Sequence, residues 1–157
     1  MKKVASVVAF SLVLASFVVT SASRRSTFNP EGYFLPMKSM RNVSRVRWIL
    51  FSDYHPTNTR GPMHVELRIG NRAHWITFAQ ASLVIDGEHL RFATKVRNGV
   101  RYNFAGRFLL TDAERSGGKF ADDRNAGVPA LRGVLQTYRG NRIVRSEELV
   151  FIYTIGD

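Results

Sequence analysis

The chain has 157 residues, 45% of them apolar and 22% charged, with no cysteine and a formal charge of +11. Apolar and aromatic content on this scale builds a core, so an intrinsically disordered chain is excluded, and the length fits one domain. Lack of cysteine excludes a disulfide framework and a thiolate metal site.

The N-terminus reads as an export signal. Lys2 and Lys3 precede an uncharged run from Val4 to Val19, and the small residues Ser21, Ala22 and Ser23 follow. That run falls short of the ~20 residues of a membrane-spanning helix. Cleavage is therefore expected after residue 23, giving a periplasmic or secreted protein. The competing reading keeps the segment as an anchor flanked by Arg24 and Arg25. Residues 24–45 hold Pro30, Gly32 and Pro36 and read as an N-terminal strap with room for one short strand.

From residue 46 to 157 the pattern is that of a single antiparallel β domain. Short alternating stretches rich in Val, Ile, Phe, Tyr and Trp are separated by turn residues. The expected strands are Val46 to Phe51, Met63 to Ile69, Ala73 to Phe78, Ser82 to Asp86, His89 to Val96, Val100 to Leu110, Ala130 to Arg139 and Ile143 to Ile155. Gly70-Asn71, Asp86-Gly87, Asn98-Gly99 and Gly140-Asn141 supply the hairpin turns. About eight such strands favour an antiparallel barrel, lipocalin-like in shape, over a two-sheet β-sandwich. The G-x-W signature of lipocalins is missing, so the comparison concerns shape alone.

Register can be argued for one hairpin. A three-residue loop of Arg97, Asn98 and Gly99 pairs Val96 with Val100, Thr94 with Tyr102, Phe92 with Phe104 and Leu90 with Gly106. Phe92, Tyr102, Phe104 and Phe108 then face inward, while Arg91, Lys95, Arg101 and Arg107 face out. Four outward cations argue against a lipid-embedded barrel wall. In the last hairpin two sets of apolar residues compete for the inward face, and a bulge within Arg145 to Glu148 would reconcile them. The final strand is apolar on both faces, which predicts a central position. Between them, residues 111–129 form a long connection in which Thr111 and Glu114 make a capping box.

Chemistry is sparsely signalled. His64 and Glu66 share a strand face, and His74 joins them in only one hairpin register, so a metal or acid–base set has weak support. No activated serine context or phosphate-binding glycine loop occurs. Asp112, Glu114, Asp122 and Asp123 cluster in the long connection without the spacing of a calcium loop. The preferred expectation is a non-enzymatic exported barrel with no cofactor. Phe92, Tyr102, Phe104, Phe108 and Trp75 would bind a small apolar or amphiphilic ligand. Arg91, Lys95, Arg101 and Arg107 would meet an anionic envelope polymer or lipid head group. Nucleic acid is not an expected partner of an exported chain, and no transmembrane span is expected after residue 23. The rival is a barrel-mouth isomerase or hydrolase using His64, Glu66 or His74.

Overall fold

A computed structural model describes residues 28–37, 45–54, 60–71, 73–117 and 127–155. The expected signal at 1–23 lies outside these residues, as does much of the strap. Eight strands follow one another around a closed antiparallel barrel: β1 (Gly32–Pro36), β2 (Val46–Tyr54), β3 (Arg60–Gly70), β4 (Trp75–Asp86), β5 (His89–Thr94), β6 (Val100–Phe108), β7 (Pro129–Arg139) and β8 (Arg142–Thr154). β8 is not an edge, and in a closed barrel no strand is. It pairs with β7 on one side and with β1 on the other.

The strands differ from expectation in three places. Ala73 to Phe78 and Ser82 to Asp86 belong to one strand, β4, which absorbs the break as a bulge between Gln80 and Ser82. The closing strand comes from the strap, where Tyr33, Phe34 and Leu35 pair with Thr154, Tyr153 and Ile152. In the last hairpin Thr137 pairs with Arg145 but Tyr138 with Ile143, so the bulged residue is Val144, one position before the expected stretch. Leu131, Leu135 and Leu149 consequently turn inward, and Val134 and Val144 are exposed.

The β5–β6 hairpin shows how two local solutions reach one register. Leu90 pairs with Gly106 and Phe92 with Phe104, as the alternation predicts. The turn itself, however, is the two-residue Asn98-Gly99, closed by reciprocal backbone bonds between Arg97 and Val100 of 2.8 and 3.0 Å. Both turn residues have positive φ, 52° and 71°, the signature of a turn that matches the twist of flanking strands. The extra residue sits before the turn, between Thr94 and Arg97. There the Thr94 hydroxyl accepts the Tyr102 N–H at 2.9 Å.

Alternation places Phe34, Ile49, Phe51, Val65, Leu67, Phe78, Phe92, Phe104 and Phe151 inside. Burying each large side chain contributes about 1.5–3 kcal/mol, so these rings dominate the stability of the core. Phe104 stacks on Phe92 with centroids 5.4 Å apart and meets Phe151 at 5.9 Å. Its ring lies over the cross-strand pair Gly106 and Gly133. A Cβ at Gly133 would stand 2.5 Å from both the Phe104 ring and the Ala105 carbonyl, so the two glycines make room for the ring.

The two ends of the barrel are built differently. At one end Phe28, Phe34 and Phe51 converge on Phe108, with centroids 5.1, 5.8 and 5.8 Å from its ring, and Leu110 is buried beside them. This end is plugged. The helix α1 (Asp112–Gly117) lies there with its capping box formed: Thr111 N–H donates to Glu114 Oε2 at 2.7 Å, and Glu114 N–H to the Thr111 hydroxyl at 3.3 Å. Arg115 of α1 pairs with Glu88 of the β4–β5 turn, which holds the guanidinium pKa above its ordinary value. Both described ends of the long connection lie at the plugged end, so its described part is not a lid over the opposite, open one. Among the described residues no helix is long and apolar enough to cross a membrane.

Candidate functional site

At the open end, where β2, β6 and β8 begin and β3 and β7 finish, the inward rows run out of phenylalanine. Tyr102, Thr137, Arg145 and Glu147 take the next inward positions. Register ties them together: Tyr102 pairs with Thr137, Thr137 with Arg145, and Leu135 with Glu147. These residues line a cavity of about 400 Å³ with Val46, Ile69, Val100 and Leu135 as its apolar wall and Arg45, Arg139 and Val144 at its rim. The volume falls within the range of small-molecule sites.

The electrostatics of this mouth are lopsided. Arg45, Arg139 and Arg145 face a single carboxylate, Glu147, which pairs with Arg145 at 2.8 Å. Burial raises the Tyr102 phenol above its ordinary pKa; Glu147 adds to that, while Arg45 and Arg145 oppose it. The phenol is therefore a neutral donor near pH 7. Its ring packs edge-on against Phe78 at 4.9 Å, which fixes it between the core and the charged rim.

The residues expected to bind ligand are divided by this arrangement. Tyr102 lines the mouth. Phe92 and Phe104 are core packing beneath it, and Phe108 belongs to the plug at the far end. Trp75, expected among the ligand-binding aromatics, does not line the mouth. The β3–β4 loop spans four residues, Asn71 to His74, so Trp75 pairs with Gly70 and Phe78 takes the inward row. Trp75 is 50% exposed on the outer wall, where Arg68 lies 5.2 Å from its ring and 4.2 Å from that of Trp48.

The four expected anion-binding cations all lie on the outer wall. Arg91, Lys95 and Arg107 are exposed, and Arg101 stacks on Tyr138 at 4.6 Å. Arg91 borders a shallow outer groove of about 350 Å³ left by the small residues Ser82, Ala93 and Ala105. Asn103 Oδ1 is buried there without a hydrogen-bond partner.

The possible acid–base set does not assemble. His64 and Glu66 are on the outer face of β3, where Val65 and Leu67 take the inward positions. His74 is held in the four-residue loop, its N–H donating to Asn71 Oδ1 at 2.8 Å. Among the described residues no three histidine or acidic side chains converge to hold a metal. Asp122 and Asp123 of the acidic cluster lie outside the described residues.

The mouth residues Arg45, Arg139, Arg145 and Glu147 were not singled out as a site by sequence reasoning. Once the bulge at Val144 is placed, Arg145 and Glu147 become charged residues on an inward row, and that is the signal available. A blind barrel with an arginine-rimmed mouth is the architecture that results. No protein-family model, curated protein or solved structure matches the chain.

Proposed function

We propose that this is an exported, non-enzymatic binding protein whose open mouth takes a small amphiphilic anion. The carrying observation is the cavity in which Arg45, Arg139 and Arg145 stand over an apolar wall of Val46, Ile69, Val100 and Leu135. Guanidinium forks match phosphate, sulfonate or carboxylate oxygens, and Tyr102 adds a neutral hydroxyl donor. The apolar part of the ligand rests against the aliphatic wall and stops at the packed Phe92 and Phe104 rings. Depth is thereby limited, which favours a short apolar group over a long chain running through the barrel.

The test uses anilinonaphthalene sulfonate, a fluorescent amphiphilic anion. Arg45→Ala with Arg139→Ala should weaken its binding at least about tenfold, the equivalent of about 1.4 kcal/mol. Glu147→Gln should tighten it, because the carboxylate that competes for Arg145 is gone. Binding that ignores all three changes contradicts the mouth as the site. The enzyme reading, through His64, Glu66 or His74, lacks a converging arrangement to support it.

A further inference from the structure

We propose that the open end of the barrel is a docking face for anionic phospholipid bilayers. Among the described residues three hairpins stand at its rim, and each carries large apolar side chains into solvent: Trp75 and Ile76 on β3–β4, Val96 on β5–β6, and Ile143 and Val144 on β7–β8. All five are 40–67% exposed. The β7–β8 and β5–β6 tips touch, with the Gly140 N–H donating to the Gly99 carbonyl at 3.3 Å. Arg97 Nη1 reaches from β5–β6 to the Thr77 carbonyl of β4 at 3.1 Å. The tips therefore form one continuous face around the mouth.

Charge selects the partner. Lys95, Arg97 and Arg142 are exposed among the apolar tips, and Arg45, Arg139 and Arg145 border the opening. Among the described residues acidic side chains concentrate at the opposite end, where Glu31, Asp53, Asp86, Glu88, Asp112 and Glu114 surround the plug and outnumber Arg107, Arg115 and Arg132. The barrel is thus polarised along its axis, with its apolar and cationic end the same. Apolar tips that enter the head-group boundary while arginines meet lipid phosphates are the two elements of interfacial binding. A second copy of this chain would place the two cationic rims against each other, which disfavours that occupant. The face shares Arg45, Arg139, Arg145 and Val144 with the cavity, but Trp75, Ile76, Val96 and Ile143 lie outside its lining, so substitutions at those tips test the face apart from the mouth.

The chain has two tryptophans, Trp48 and Trp75, whose rings share the Arg68 guanidinium, so Trp75 serves as the reporter at this end and the control tryptophan is placed at the plugged end, at the exposed Ile155. The full chain is mixed with phosphatidylcholine vesicles containing phosphatidylglycerol and lipids brominated on their acyl chains. In the Trp48→Phe variant, Trp75 emission should be quenched; in the triple variant Trp48→Phe, Trp75→Phe, Ile155→Trp, emission from position 155 should not. Adding Val96→Asp and Ile143→Asp, both outside the cavity lining, to Trp48→Phe should raise the half-quenching lipid concentration at least about tenfold, from loss of two buried aliphatic groups. Omitting phosphatidylglycerol or raising salt should act in the same direction. Ile155→Asp, at the plugged end, should change nothing. Absent Trp75 quenching, equal quenching of the tryptophan at position 155, or indifference to lipid charge overturns the proposal. So does a tip variant that converts a dimer to a monomer by light scattering, since that marks a contact between copies.

Discussion

Tyr102 stands where the phenylalanine core gives way to the charged rim, and its titration reports on that boundary. Burial and Glu147 raise its pKa in the folded chain above the ordinary 10.0, so the folded state holds the phenol proton more tightly than the unfolded state does. Stability must then fall as pH rises past the unfolded value, because unfolding releases a proton there. Below that value the group adds no pH dependence. Thermal unfolding of Tyr102→Phe should lose less stability than the parent chain between about pH 9 and about pH 11. Parallel losses in the two proteins would place Tyr102 in water instead of at the mouth.

β1 is the element on which closure depends, and it is also the shortest strand, five residues long. Its hold on β8 is reinforced by Tyr153, whose hydroxyl donates to the Glu31 carbonyl at 2.9 Å and whose ring covers Gly32 and meets Phe34 at 5.5 Å. Tyr153→Phe should cost about 1 kcal/mol in urea unfolding, with faster amide exchange concentrated in β1. Unchanged exchange in β1 would show that closure does not rest on this residue.

Strand alternation made most of the wall legible in advance. Leu90, Phe92, Phe104 and Phe108 face inward and Arg91, Lys95 and Arg107 outward because side-chain period two leaves few choices once one pair is set. What escaped were one-residue offsets. The four-residue β3–β4 loop put Trp75 outside, and the Val144 bulge brought Arg145 and Glu147 inside. Bulges are settled by how a strand meets both neighbours around the closed sheet, and a lone hairpin does not contain that information. β1 was equally obscure, since Gly32-Tyr-Phe-Leu-Pro36 reads as a strand only when the gap between β8 and β2 is known.

At the scale of the whole molecule, the barrel has a direction. Aromatic rings plug one end, acidic residues surround that plug, and the opposite end combines an apolar wall with arginines. A filled lower half and a short upper cavity place any ligand within reach of the rim.

The most direct measurement is a methyl-resolved NMR titration of the chain with a short alkyl phosphate. Binding at the mouth predicts shifts confined to Val46, Ile69, Val100, Leu135 and Val144, with Val65 and Leu90 in the packed interior left in place. Shifts centred on Ala93, Ala105 and Val134 would move the site to the outer groove and contradict the account, as would a titration that moves no methyl at all.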